Sequence, residues 1–117
     1  MSVSSLISSA AKTEKELYYE KCKFKFDIYS FPDEFDIQLL EAHGWYSAKN
    51  RGDNFYGCSR DHMISISYGF KHKIDPKIIS HPANCRIIQN IDNQRKRHKC
   101  SVTLEELISR IKSFDEK

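Results

Sequence analysis

An acid and an imidazole stand side by side at Asp61 and His62, just before the alternating stretch 63–67. Histidine has an unperturbed pKa of about 6.5, so a neutral imidazole can take a proton from water near neutral pH. An aspartate supplies the oxygen ligands that a hard divalent ion such as Mg²⁺ prefers. The pair therefore combines a candidate general base with a candidate metal ligand. Taken alone, such a pair is more often a cap or a surface pair.

Two asparagines complete the candidate set. Asn84 lies in "HPANC", before a short apolar run, and Asn93 lies in the basic segment that follows. The amide oxygen of Asn93 is a second oxygen ligand, while Asn84 can bond the backbone or the imidazole and hold the site in shape. Together with Asp61 and His62 they have the chemistry to hydrolyse a phosphodiester, with His62 activating water beside a magnesium ion. The alternatives are a helix-start role for Asn93 and a turn role for Asn84.

Caps and periodicity predict the elements that must position these residues. The predicted strands at 63–67 and 85–88, followed by a basic helix, would form a small cleft around the four polar residues. The predicted elements are, in chain order, a helix at 14–22, a short strand or extended segment in "KFKFDIYSF", a helix capped by Asp33 or Asp36 and closed by Gly44, a strand at 63–67, a single-turn helix at 76–80, a strand at 85–88, a basic helix from Asn90 to about His98, and a final helix opened by the capping box Thr103–Glu106.

Length and composition favour one small α+β domain at 13–117, after a disordered N-terminus at 1–12. The chain has 117 residues, 39% of them hydrophobic, and 19 basic against 16 acidic residues, so an electrostatic partner must be engaged by a local patch. The four cysteines form no CxxC pair. With no signal-peptide pattern, they predict free thiols and a cytoplasmic location, in the host cell if the chain is phage-encoded. No stretch has the length of a membrane span.

The text "RDHMISI…HPANCRIIQNIDNQRKR" resembles the HNH endonuclease motif, the ββα-metal finger of homing, restriction and colicin nucleases. The last signature position is Asn93, and asparagine also stands there in a subset of phage homing enzymes. Asn84 and Asn93 are separated by eight residues, which is the spacing in that subset. The wider text "GWYSAKNRGDN…SRDHM…IDPKIISHPANC" resembles compact phage-encoded HNH proteins, and the likeness covers most of residues 20–111.

This resemblance implies an α+β fold with a ββα-metal core at about 60–98, flanking helices and little sheet. It implies a metal-dependent DNA endonuclease, either a phage homing enzyme or a nickase. His62 would be the general base, Asp61 and Asn93 would bind Mg²⁺, Mn²⁺ or another divalent cation, and Asn84 would orient the site. The partner would be double-stranded DNA, and a double-strand break would need a homodimer or a larger phage assembly. The sequence departs from the family pattern in two ways: the connection between His62 and Asn84 is longer than in the shortest members, and the zinc-binding CxxC pairs that brace some members are missing. The short helix near Pro76 and the terminal helix must therefore brace the site.

Basic residues around the predicted cleft are candidate phosphate contacts, which position a duplex without reading its sequence. The candidates are Arg95, Lys96, Arg97 and Lys99, with Arg60, Lys71, Lys73, Lys49 and Arg51 as further ones.

Two other functions compete with a nuclease. One is a catalytically silent DNA-binding module with the same fold. The other is a zinc-stapled interaction domain that uses His81, Cys85, His98 and Cys100, although their spacing fits no common zinc knuckle and no structural zinc is expected. Six aromatic residues are expected in the core instead of forming a base-stacking platform: Tyr18, Tyr19, Phe24, Phe26, Phe31 and Phe35.

Overall fold

The computed structural model describes residues 12–47 and 54–117, over which the chain mixes helices with one small antiparallel sheet. The predicted disordered N-terminus therefore lies outside the described residues except for Lys12, and Lys49 and Arg51 also lie outside them. The coarse α+β prediction is confirmed. The elements are helix α1 (Glu14–Lys21), α2 (Ile37–His43), strand β1 (Cys58–His62), α3 (Ile66–Lys71), α4 (Pro76–Ile79), β2 (Cys85–Gln89), α5 (Asn90–Lys96) and α6 (Leu104–Asp115), with 3-10 turns at Ile28–Ser30 and Pro82–Asn84.

Local capping chemistry explains where four of the helices begin. Side-chain oxygens of Thr13, Asp36, Asp75 and Thr103 accept hydrogen bonds from backbone N–H groups in the first turns of α1, α2, α4 and α6. Each of these bonds satisfies a donor that the helix itself leaves without a partner. Gly44 ends α2 with a φ of 69°, a conformation that favours glycine. These predicted helix starts are confirmed.

The predicted strand at 63–67 is wrong. Strand β1 is Cys58–His62 and ends where the prediction placed its beginning. Ser65 instead caps α3, its hydroxyl accepting a hydrogen bond from the Tyr68 backbone N–H at 3.1 Å. A five-residue alternation is a weak strand signal, and here the serine cap outweighs it. Asp61 and His62 therefore lie within a strand and not before one.

The segment "KFKFDIYSF" was predicted as strand or extended chain, but it contains a 3-10 turn at Ile28–Ser30. Asp27 caps this turn by accepting a hydrogen bond from the Tyr29 backbone N–H at 3.0 Å. Phe24, Phe26 and Phe31 of the segment pack against the core, as predicted, whereas Tyr29 is exposed. Phe26 contacts Phe31 and Phe35, with ring centroids 5.9 and 5.5 Å apart.

Strands β1 and β2 pair antiparallel, with Asp61 opposite Arg86 and His62 opposite Cys85. Strand β2 leads directly into α5, which contacts both strands. Because successive strand residues face opposite sides, Asp61 lies on the side covered by α5, while His62 lies on the side of the aromatic residues.

Two clusters of buried side chains support this unit. The sheet core consists of Ile28, Phe35, Leu40, Cys58, Cys85 and Ile87. The helical core consists of Cys22, Ile64, Ile74, Ile79, Ala83 and Leu107. Helix α4, which is part of the connection between the strands, supplies Ile79, and helix α6 supplies Leu107, so the two helices predicted to brace the site share this core. Within the described ranges, no helix combines the length and the apolar character needed to cross a membrane.

Candidate active site

Asp61 is a buried carboxylate held by two cations. It is only 3% exposed; its Oδ2 accepts a hydrogen bond from Arg86 Nε at 2.7 Å, and its Oδ1 accepts one from Lys96 Nζ at 3.1 Å. Lys96 also donates to the backbone carbonyl of His62 at 2.9 Å. Burying a lone carboxylate is costly, so these two partners explain how the acid is accommodated at the end of β1.

His62 is fixed by a backbone carbonyl and by an aromatic ring. Its Nε2 lies 2.7 Å from the carbonyl oxygen of Cys22, and its ring stacks on Phe24 with centroids 3.8 Å apart and planes at 13°. A carbonyl can only accept, so Nε2 carries the hydrogen, and the neutral ring has its lone pair on Nδ1. Burial lowers the pKa of His62, and this effect outweighs the opposing influence of the Cys22 hydrogen bond and of Asp61. The geometry therefore favours a neutral imidazole with one basic nitrogen.

Asn84 lies fully buried in the connection between the strands. Its Oδ1 accepts a hydrogen bond from the Ile64 backbone N–H at 2.8 Å, and its Nδ2 donates to the carbonyls of Ile64 and Ile79 at 3.1 and 2.9 Å. Both amide hydrogens are thus committed to backbone, so none is left for a substrate. Of the two predicted partners, backbone and imidazole, the structure shows the backbone, which makes Asn84 a positioning residue instead of a catalytic one.

Asn93 lies in α5 and donates from Nδ2 to the Ser59 hydroxyl at 3.0 Å. This bond turns its nitrogen toward β1 and leaves Oδ1 as the end that can serve as a ligand. Asn93 lines a cleft of about 160 Å³, which we call the strand-end cleft. The structure thus brings together three of the four predicted site residues, with Asn84 buried behind them. The strand-end cleft is lined by Asp61, His62, Ser65, Asn93, Lys96 and Arg97, among others.

The predicted phosphate contacts fall into distinct environments. Lys96 is not a solvated side chain, because it is 11% exposed and bound to Asp61. Arg97 follows the end of α5 with a φ of 54°, so the helix is shorter than predicted, yet its exposed side chain lines the strand-end cleft. Arg60 is directed elsewhere, since it donates to the Phe26 carbonyl at 3.0 Å and lies over the Phe26 and Trp45 rings. The remaining described candidates are exposed: Lys71, Lys73, Arg95 and Lys99.

Sequence reasoning missed the residues that hold the candidate catalytic pair. Arg86 faces Asp61 only through the strand register, so it could have been found once β1 was assigned to 58–62. The Cys22 carbonyl and the Phe24 ring contact His62 from about forty residues earlier in the chain, and no local sequence pattern predicts these contacts.

His81, one of the four residues considered for zinc, has both ring nitrogens in use. Nδ1 accepts from the Ala83 backbone N–H at 3.0 Å, and Nε2 lies 2.9 Å from Asp115 Oδ1. In the described part of the chain, no group of three or more His, Cys, Asp or Glu side chains is arranged to hold a metal ion. A metal in the strand-end cleft would therefore depend on Asp61 and on the amide oxygen of Asn93.

Comparison of the chain with models of protein families, with curated proteins and with solved structures found no match.

Proposed function

We propose that the protein is a metal-dependent DNA endonuclease of the HNH type, which hydrolyses phosphodiester bonds in double-stranded DNA. The observation that carries the proposal is the strand-end cleft, where a tautomer-fixed His62 lies beside Asp61 and Asn93. A further support is that β1, β2 and α5 follow one another in the order expected of a ββα-metal finger, although α3 and α4 lie in the connection between the two strands. One cleft acts on one strand at a time, so nicking is the simplest outcome, and a double-strand break would need a second copy.

In this proposal, His62 takes the proton from the attacking water at Nδ1. This role of His62 is supported by the hydrogen bond from Nε2 to the Cys22 carbonyl and by the stacking on Phe24, which together fix the ring and its tautomer. The lowered pKa keeps the imidazole neutral and able to accept a proton. A positioned general base is worth about 10²- to 10⁴-fold in rate.

The donor chemistry of Asp61 and Asn93 fits a hard divalent cation, because both offer oxygen and Asn93 has its nitrogen directed to Ser59. Bound Mg²⁺ would supply positive charge to the phosphate and to the departing 3′ oxygen. Arg97 lines the same cleft and is the best-placed candidate to hold a neighbouring phosphate.

The test is cleavage of supercoiled plasmid, with Mg²⁺ or with EDTA, by the wild-type protein and two histidine variants. Nicked or linear product is expected only with the metal. His62→Ala should abolish cutting while retaining DNA binding, whereas His43→Ala, which alters an exposed histidine at the end of α2, should cut normally. Normal cutting by His62→Ala would remove His62 from the mechanism.

A catalytically silent DNA-binding module is the second candidate, favoured by one observation. Lys96 already binds the carboxylate oxygen that a metal would need. Absence of cutting in Mg²⁺, Mn²⁺ and other divalent ions, together with DNA binding that weakens as salt rises, would support this function. DNA binding that does not depend on salt would contradict both functions.

A further inference from the structure

Lys96 differs from the other basic residues predicted to contact DNA because its ammonium lies inside the strand-end cleft. Its side chain is 11% exposed and donates to Asp61 Oδ1 and to the His62 carbonyl. Arg86 holds the other carboxylate oxygen and is 40% exposed. The more enclosed of the two cations is therefore the one on Oδ1, and it comes from the helix that carries Asn93.

We propose that Lys96 is a resident counter-ion of Asp61 that a divalent cation must displace, and that its displacement frees the ammonium for a DNA phosphate. The inference rests on the proposed function. It makes Lys96 the residue that sets the metal affinity of the free protein, with metal binding and phosphate binding linked through one side chain.

Charge and size make the two occupants exclusive. A magnesium ion binds a carboxylate oxygen at about 2.0–2.1 Å, and the ammonium lies 3.1 Å from that oxygen, so the two cations would repel strongly at such separations. Lys96 has a flexible four-carbon side chain and lies in the last turn of α5, so it can withdraw without moving a strand. Arg86 can stay on Oδ2, because its position follows from the pairing of β1 with β2.

Metal binding at Asp61 is then thermodynamically linked to release of Lys96, and two consequences follow. Removing the ammonium should strengthen metal binding, since the metal no longer displaces a bound cation. Conversely, saturating metal should expose Lys96, because the two occupants share one carboxylate oxygen and the coupling is reciprocal.

The first experiment measures Mn²⁺ affinity of the metal-stripped full chain by the paramagnetic resonance signal of free Mn²⁺. The proteins are wild type, Lys96→Met, Lys96→Gln and Lys112→Met, the last removing an exposed charge on α6. Both Lys96 variants should bind Mn²⁺ at least about tenfold more tightly than wild type, and Lys112→Met should change the affinity by less than about twofold. Asp61→Asn should lose the binding.

The second experiment uses wild-type protein alone and measures acetylation of individual lysines by mass spectrometry. Lys96 should react slowly without metal and several-fold faster in saturating Mg²⁺, while Lys99 should react equally in both. This measurement does not depend on a variant that folds.

The outcomes separate the two ideas. Equal Mn²⁺ affinity of wild type and both Lys96 variants, with the Asp61→Asn loss present, would overturn displacement and leave the metal site standing. Acetylation of Lys96 that does not respond to Mg²⁺ in a metal-binding protein would overturn it as well. No Mn²⁺ binding by any variant would defeat the metal site, and with it both the displacement and the proposed nuclease.

Discussion

Replacing Asn84 with aspartate tests the view that this residue holds the connection between the strands. The substitution keeps the shape of the side chain and exchanges its NH₂ group for an oxygen. In the wild-type protein, Nδ2 donates to the carbonyls of Ile64 and Ile79 at 3.1 and 2.9 Å, in a site with no solvent exposure. A carboxylate can donate to neither of them.

The expected loss follows from the two carbonyls. A buried acceptor left without its donor costs about 1–3 kcal/mol, so two of them predict a fall of about 2–6 kcal/mol in the free energy of unfolding near neutral pH. Burial also raises the pKa of the new carboxyl above that of the unfolded chain, and its protonated form regains one donor. The variant should therefore come closest to wild type below the unfolded pKa of about 3.9, and the gap should widen as pH rises through the folded pKa.

Urea unfolding of wild type, Asn84→Asp and Asn93→Asp at several pH values provides the measurement. Asn93→Asp makes the same chemical change at a half-buried position, where the amide donates one hydrogen bond, to the Ser59 hydroxyl. Because that hydroxyl can rotate, the free energy of unfolding should fall by less than about 1.5 kcal/mol. The positioning role is refuted if Asn84→Asp is no less stable than Asn93→Asp near neutral pH.

Two further predictions concern close contacts and burial. Gly69→Ala should lower stability by about 1–3 kcal/mol in thermal unfolding, because the added Cβ would meet Tyr18 Oη and lie 2.8 Å from Ile79 Cγ1; an unchanged or higher Tm would contradict this contact. Alkylation of the folded protein at pH 8, followed by mass spectrometry, should modify the partly exposed Cys100 first. Fast modification of Cys85 would contradict its burial, which raises its thiol pKa to about 12 and keeps the thiolate scarce. The thiols expected to resist until unfolding are Cys22, Cys58 and Cys85.

The helices other than α3 were predictable because their signals are local. A capping side chain and the backbone it bonds lie within three residues, as at Thr13 and Asp36, so short sequence windows contain the whole interaction. The first strand was missed for the opposite reason. Its sequence, "CSRDH", carries four polar or charged residues in five, because the sheet there builds a polar site and not an apolar face. Apolar alternation then misdirected the prediction to the following segment.

The members of the candidate site could be proposed from the sequence, but their contacts could not. Residue type and spacing selected Asp61, His62 and Asn93, which the fold brings to one cleft. Their partners depend on strand register and on distant segments, which a single sequence does not encode in any short pattern. Lys96 is the clearest case, because a basic helical run is expected in solvent and this side chain is buried against an acid.

Asp61 and His62 are neighbours that both line the strand-end cleft, yet their side chains bond to different partners and not to each other. Alternation along β1 turns Asp61 toward α5, where two cations balance its charge, and turns His62 toward Phe24. The group that orients the imidazole is accordingly the Cys22 carbonyl, which carries no full charge to stabilise an imidazolium. A carboxylate in that place would raise the pKa of the ring, whereas here burial prevails and lowers it. The strand thus makes a neutral base compatible with an acid one residue away.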